Sequence, residues 1–334
     1  MKSCSATLSR RAAIRAIGAG ILGAAFPSHS APPPGTRRLG IFYFRSPTDT
    51  EPWSGATNAL KELAKLGWVE GRNLVLVPRY AQAPEEIAPR AADLVRSGVD
   101  AIFTEGTTQT RALQQATKTI PIVTGVGDPI RRGFALSLAR PGGNVTGVSF
   151  AMDDIALKQL DLLRAVVPNL SRVDVAMDGE NPGSRELAAP MQAAAKELGI
   201  SSEFVPILSL SDIHRAFHAT RGAGARAVFI YSPFNELIEM RAMAELAIRN
   251  AVPTMSAFVD YVVAGGLMSF SLSFDNQAQR SASQLDKVLR GMNPAEIPFE
   301  LPGRSELALN RLTAKALKLA IPERLLLSAI RVVE

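Results

Sequence analysis

The chain has 334 residues, of which 47% are hydrophobic and 20% charged, and its formal net charge is +6. That is enough apolar material for two ordinary domains and too little charge bias for a disordered chain. One cysteine among so many residues excludes a disulfide scaffold and a cysteine-rich metal site.

The first thirty residues read as a leader. Ser9-Arg10-Arg11-Ala12-Ala13-Ile14-Arg15 precedes an apolar run from Ala16 to Phe26, with small residues at Ser28 and Ser30. A basic start, a short apolar core and a small-residue cleavage site describe an export signal, and the run is too short to span a bilayer. The arginine pair is similar to a twin-arginine signal, with Ala13 where that signal usually carries Phe. Gly18-Ala19-Gly20-Ile21-Leu22-Gly23 has the spacing of a dinucleotide-binding fingerprint, but no strand precedes it, so it reads as the flexible core of the signal. Removing residues 1–30 takes away Lys2, Arg10, Arg11 and Arg15 and no acid, so the charge falls from +6 to +2. Nucleic-acid binding loses its main support. Cys4 leaves with the leader, and it precedes the apolar core, so it is not placed as a lipidation site.

The mature part then alternates. Arg38–Phe44 reads as a strand, Glu51–Gly67 as a helix, Asn73–Tyr80 as a strand and Pro84–Ser97 as a helix. Ala101–Thr104 is a short apolar strand. Glu105-Gly106-Thr107-Thr108 follows, where Thr107 or Thr108 is expected to cap a helix carrying Ala112, Leu113 and Ala116. Pro121 ends that helix, Ile122–Thr124 is a further strand, and Gly125-Val126-Gly127-Asp128-Pro129 reads as a turn by composition. Asn144–Phe150 closes the first series. A second one begins at Asp153: helix to Val166, strand Arg172–Met177, helix Ser184–Leu198, strand Glu203–Ile207, helix Asp212–Ala219, strand Ala225–Tyr231, helix Glu236–Asn250. Val252–Ser256 and Gly266–Phe270 are short strands around Phe258–Val263. Asp275–Arg290 is a long amphipathic helix, and Leu307–Asn310, Arg311–Leu317 and Pro322–Ile330 close the chain.

Two βαβ series predict an α/β protein of two doubly wound parallel-sheet lobes. The expected lobes are residues 37–148 plus 273–300 and 149–272 plus 301–334, joined by crossings near Thr146–Ser149 and Ser271–Phe274. Lobes joined that way close on a ligand by hinge motion. Open α/β sheets bind ligands at the carboxyl edge of their strands. That edge predicts a first-lobe contact set of Thr104, Gly106, Thr107, Thr108, Gly127, Asp128 and Ser149, and a second-lobe set of Asp178, Asn181, Ser184, Ser232, Phe234, Phe258 and Ser271. A helix N-terminus at Thr107 suits a carboxylate, and Phe234 or Phe258 suits the face of an aromatic or apolar ligand. Asp128 before Pro129 equally suits a plain turn, Phe258 equally suits core packing, and Arg131-Arg132 reads as a solvated turn. His214 and His218 share an i, i+4 face with no evident third metal ligand, and they read as a solvated helix face. No nucleophile–base pair is placed for catalysis.

The pattern resembles the substrate-binding proteins of ABC transporters, in the branch of tryptophan and tyrosine binders. The resemblance runs through Leu66-Gly67-Trp68-Val69-Glu70-Gly71-Arg72-Asn73-Leu74, Gln114–Val123 with its Ile120-Pro121-Ile122, and Gly127-Asp128-Pro129. It continues through Ser137-Leu138-Ala139-Arg140-Pro141-Gly142-Gly143-Asn144-Val145-Thr146-Gly147, Ala264-Gly265-Gly266-Leu267, Thr313-Ala314-Lys315-Ala316-Leu317 and Ile321-Pro322. It implies the type I periplasmic binding fold with three crossovers, no catalysis and no cofactor. It also implies a periplasmic, non-lipidated monomer that passes a small molecule to an inner-membrane ABC permease, with an aromatic amino acid the favoured ligand and another soluble carboxylate or an aromatic breakdown product the alternatives. A ligand-binding sensor is the second functional reading, and a periplasmic enzyme the third. The chain departs from the family pattern at Glu105-Gly106-Thr107-Thr108, where His-Gly-Thr-Pro is common, at Asp178-Gly179-Glu180-Asn181-Pro182, where Asn-Pro-Asp is common, and at Ser269-Phe270-Ser271, where Ser-Tyr-Gly is common.

If the leader reading is right, mass spectrometry of the extracytoplasmic fraction will find a chain beginning near Ala31. An intact N-terminus on cytoplasmic protein would contradict it.

Overall fold

The computed structural model describes residues 35–44, 55–150, 152–179, 184–219, 225–231, 237–301, 303 and 305–334. The leader, Asn181, Ser232 and Phe234 lie outside them.

Strands and helices alternate from the start: β1 Arg37–Phe44, α1 Gly55–Lys65, β2 Leu74–Ala81, α2 Ile87–Arg96, β3 Ala101–Glu105, α3 Thr107–Ala116, β4 Ile122–Gly127 and β5 Val145–Phe150. A short 3-10 turn at Pro84–Glu86 leads into α2, where the proline's missing N–H costs nothing. These five strands form one parallel sheet in the order β2-β1-β3-β4-β5.

The chain then passes into a second lobe: α4 Met152–Val166, β6 Leu170–Asp178, α5 Ser184–Glu197, β7 Phe204–Ile207, α6 Leu210–Ala219, β8 Ala225–Tyr231, α7 Leu237–Arg249, β9 Thr254–Ser256, α8 Val259–Val263 and β10 Met268–Leu272. It returns for α9 Phe274–Leu289 and ends with β11 Ser305–Asn310, α10 Arg311–Ala316, α11 Glu323–Ser328 and β12 Arg331–Val333. The second sheet runs β12-β11-β10-β9-β8-β6-β7. Read from β7, its first five strands repeat the order of the first sheet. β11 then pairs antiparallel with β10, and β12 parallel with β11. The sequence reading of two parallel sheets therefore holds, with this appended edge added.

Each sheet is covered on both faces. In the first lobe Leu39, Ile41 and Phe103 point to Leu63 of α1 and to Ala282, Leu285 and Leu289 of α9. Phe42 and Ile102 point the other way, to Ala91 and Leu94 of α2 and Leu113 of α3. The alternation of neighbouring strand residues between faces is what a doubly covered sheet requires. α9 thus completes the first lobe although more than 120 residues of chain separate it from β5. In the second lobe Val173, Val175 and Phe229 meet α4 and α5, while Val228 and Ile230 meet α6, α7 and α8.

Three segments cross between lobes: Phe150 to Met152, Leu272 to Phe274, and the stretch from Leu289 to Ser305. The third is held against β5. Ser149 N–H donates to the Glu300 carbonyl at 2.8 Å, and Glu300 N–H donates to the Gly147 carbonyl at 2.9 Å. The Glu300 carboxylate accepts from Arg280 Nη1 at 3.1 Å, Gln284 Nε2 at 2.7 Å and Lys287 Nζ at 3.1 Å, all on α9.

Gly147 is required at its position. Its φ is +145°, and a Cβ there would lie 1.9 Å from the Thr124 carbonyl oxygen of the neighbouring strand. Gly147→Ala should lower stability by about 2 kcal/mol or more, from a strained φ plus a backbone clash. Urea unfolding will show it; a loss under a few tenths of a kcal/mol would mean the strands separate at no cost.

Candidate functional site

Both sheets reverse their strand order at the same place, between β1 and β3 in the first and between β6 and β8 in the second. At such a point the loops diverge and leave a crevice beyond the carboxyl ends of the strands. The side chains there are Tyr43 at the end of β1, Glu105 at the end of β3, Met177 and Asp178 at the end of β6, and Tyr231 at the end of β8.

A cavity of about 80 Å³, open to solvent on one side, joins the two lobes. One wall is Phe150 of β5 with Phe274 and Gln277 of α9, and the opposite wall includes Ile155, Gln159, Met177, Phe229 and Tyr231. The lining is mostly apolar. Phe150 reaches its place because β4 carries glycine opposite it: a Cβ on Gly125 would stand 2.8 Å from the Phe150 Cζ. Aromatic rings bridge the lobes at the rim. Phe258 stacks on Phe274 with centroids 5.7 Å apart and planes 5° apart, and Tyr231 tilts onto Phe258 at 5.5 Å. Tyr43 and Tyr80 stack at 5.5 Å on the first lobe. A larger groove adjoins the cavity, sharing Phe150 and Pro190 with it, and is lined by Arg111, Asp128, Arg131, Arg132, Ser149 and Asp154 among others.

Glu105 lies beside the cavity. Gln277 Nε2 donates to its Oε1 at 2.9 Å, and no cation among the described residues pairs with it. Surrounding protein withdraws water from the charged form and raises the pKa to about 7, with the Gln277 hydrogen bond opposing the rise. Burial also raises the Tyr231 hydroxyl pKa, and the charge of Glu105 adds to it. Burial raises that of Tyr43 as well, where the neighbouring Tyr80 and then Glu105 contribute.

α3 starts differently from its reading in sequence. Gly106, with φ +92°, is the cap residue, and no side chain caps the helix, so neither Thr107 nor Thr108 does. A left-handed φ suits glycine and turns the chain sharply out of β3. The hydroxyl that does bond there is Thr110 Oγ1, which donates to the Gly106 carbonyl at 2.7 Å. Thr107, Thr108 and Gln109 present backbone N–H groups with no partner among the described residues, and all three are partly exposed. Such a terminus carries partial positive charge and suits an anion.

The other expected residues fall in different places. Thr104 is buried and its hydroxyl donates to the Phe42 carbonyl within the sheet. Gly125 to Gly127 is strand rather than turn, because β4 pairs with β5 through Gly127; the turn begins at Asp128, whose φ is +38°. The Asp128 carboxylate accepts from the Arg131 backbone N–H at 3.0 Å and from its Nε at 2.6 Å. Burial disfavours its charge, but these bonds outweigh it and keep its pKa below the usual value. Gly127, Asp128 and Ser149 line the groove, and Ser271 lines the cavity. Asp178 and Ser184 are buried on facing ends of β6 and α5, and Phe258 is half-buried in the aromatic rim. Glu105, Gln277, Phe150 and Phe274 were not among the expected contacts. Phe274 and Gln277 lie on α9, far from the loops in sequence. Glu105 stood in the right loop, and its departure from histidine was the available signal. Among the described residues no cluster of three metal-ligating side chains occurs, and no helix is long and apolar enough to cross a membrane.

A sequence model of the ABC transporter substrate-binding protein family matches residues 45–333. The chain belongs to this family. Within it, a tyrosine-binding protein of Clostridioides difficile (strain R20291) is 26% identical over 263 residues, which cover 77% of this binding protein and 74% of that one. Among solved structures, the ABC domain from Streptococcus pneumoniae in complex with L-Trp matches with a TM-score of 0.73 at 22% identity, covering 89% of this chain and 100% of that one. A conserved domain protein from Vibrio cholerae matches with a TM-score of 0.72 at 24% identity, covering 89% and 99%. These structures share the two-lobed fold.

The raised pKa of Glu105 has a consequence for stability. Folded protein keeps this carboxyl protonated up to about pH 7, whereas an unfolded chain ionises it near the ordinary 4.5. Folding takes up a proton between those values, so the group's contribution is full below pH 4.5 and is lost as pH rises through 7. Glu105→Gln keeps an acceptor for Gln277 and carries no charge. The variant should lose less stability between about pH 5 and 8 than the parent in paired urea melts, and should exceed it at the upper pH. Identical slopes would mean that Glu105 is solvated in the folded protein.

Proposed function

We propose that this protein is the extracytoplasmic component of an ABC importer, capturing a small aromatic carboxylate between its lobes and presenting it to a permease. The observation that carries the reading is the apolar, aromatic-walled cavity set between the strand-reversal points of both sheets. The tyrosine-binding relative and the L-Trp complex within the family support an aromatic amino acid as the first ligand to try.

In this reading the leader directs export and is removed, and the mature chain works as a periplasmic monomer. The lobes are residues 37–148 plus 273–300 and 149–272 plus 301–334, and they close by rotation about the three crossings. The ring of the ligand enters the cavity between Phe150, Tyr231 and Phe274, with Phe258 covering it. Burying a ring removes apolar surface from water, and each aromatic neighbour adds on the order of 0.5–1.5 kcal/mol in an offset or edge contact. The carboxylate meets the N–H groups of residues 107–109 and the hydroxyls of Thr107 and Thr108. Charge-assisted bonds of that kind contribute roughly 1.5–3 kcal/mol each. Ser149, Ser184 and Ser271, with Asn181, Ser232 and Phe234, belong to the expected contact set, as do Thr104, Gly106, Gly127, Asp128 and Asp178.

Native mass spectrometry of freshly purified protein should reveal a bound small molecule, and calorimetry with L-tyrosine, L-tryptophan and their deaminated acids should give saturable binding. Replacing Thr107 and Thr108 together by Val should weaken that binding by about tenfold or more, at 1.4 kcal/mol per decade, without abolishing it, because the backbone donors survive. Unchanged affinity in a folded double variant would remove these hydroxyls from the site.

A further inference from the structure

We propose that Glu105 is the counter-charge for a protonated amine on the ligand, so that the cleft takes amine-bearing aromatic molecules in preference to the corresponding plain acids. This assignment rests on the aromatic-carboxylate reading above and names the residue that decides between its ligand classes.

The geometry comes first. Glu105 ends β3 at the reversal point of the first sheet, and its neighbour Gln277 lines the cavity. Gln277 Nε2 occupies one carboxylate oxygen. Among the described residues no arginine, lysine or histidine bonds the carboxylate, so this half-buried acid has no protein cation. A charge so placed is costly unless a partner arrives. The groups around it suit an ammonium. Tyr43 faces it from β1, stacked on Tyr80, and Tyr231 approaches from β8 of the other lobe, close enough for Glu105 to act on both hydroxyls. α9 contributes Gln277, which is neutral, and β4 contributes Gly125 beside it. Among the described residues the titratable groups that sense its charge are Tyr43 and Tyr231, both protonated at neutral pH. Aromatic faces next to a carboxylate attract a cation.

The acceptor of an amine and the donors for a carboxylate also lie on one turn. Glu105 is followed by Gly106 and then by the open N–H groups of Thr107, Thr108 and Gln109. Residues two apart have Cα atoms within about 7 Å. One bend of chain therefore carries an acid and, from two residues on, open backbone donors. Of the other carboxylates near the crevice among the described residues, Asp128 is closed onto Arg131 and Asp178 has a partner of its own, while Asp154 lies out in the adjoining groove.

Proton balance makes the proposal testable. Below neutrality Glu105 holds a proton, since its pKa is about 7. An ammonium ligand favours the ionised carboxylate, so the proton leaves to the buffer on binding. Well above pH 7 it has already gone. Affinity for an ammonium ligand should therefore rise as pH increases through neutrality, up to the pKa of the ligand's own amine.

Calorimetry on the exported, mature protein at about pH 5.5 and pH 8, in two buffers of different ionisation enthalpy, decides the matter. The probes are L-tyrosine, L-tryptophan, 3-(4-hydroxyphenyl)propionate and indole-3-propionate. The amino acids should bind at least about tenfold more tightly than their deaminated partners, more tightly at the higher pH, and with proton release only at the lower. Glu105→Gln should bring the amino acids down to the level of the deaminated acids and remove the pH dependence. The proton count on the unaltered protein stands even if that variant does not fold. Deaminated acids binding as tightly as the amino acids, or proton uptake in place of release, would overturn the role of Glu105 and leave the aromatic-carboxylate reading intact. Failure of all four probes to bind would overturn both.

Discussion

The structure turns on Glu300. Its backbone pairs with β5 at Gly147 and Ser149, and its carboxylate draws in Arg280, Gln284 and Lys287 from α9. One residue thus ties the first crossing, the helix that follows the second, and the third crossing into a single knot. The ion pairs are only partly exposed, so solvent screens them less than it would a surface pair. The knot holds the crossings in mutual register. Gly147 makes the arrangement possible, since any larger residue would push β5 away from β4 at the point where Glu300 binds.

Around that knot the two sheets place equivalent edges face to face. The same strand order recurs in both lobes, so each contributes the end of its own first and third strands to the crevice. The division of labour between the two edges is chemical. The first lobe brings the polar groups, Glu105, Gln277 and the open helix terminus; the second brings bulk, with Met177, Phe229 and Tyr231. The cavity therefore draws its lining from both lobes.

Much of this was legible in the chain because the elements are strongly patterned. The apolar strands, the helix at 275–290 and the alternation of the two are local signals, and local signals survive folding. The readings that failed depended on distant partners. Gly125-Val126-Gly127 has turn composition, yet it is strand because β5 lies alongside and Phe150 needs the space a side chain would fill. Thr107 and Thr108 have cap chemistry, yet Gly106 takes the cap because only a left-handed residue turns the chain there. β12 is three residues long and pairs only with β11, too short for any period to show. Within the site, Gln277 meets Glu105 across 172 residues of sequence, a contact no local pattern announces.

The place of α9 in the first lobe bears on how the chain assembles. Without it, Leu39, Ile41 and Phe103 have only α1 to cover them. A ribosome that has released residues up to Phe150 has made every strand of the first sheet but not α9. That lobe stays unfinished until the second has been almost wholly synthesised, and β11 and β12 reach the second sheet later still. Contacts so remote in sequence slow folding and expose apolar surface while they wait. The same threading that makes hinge motion possible therefore leaves neither lobe able to mature as an independent, contiguous fragment.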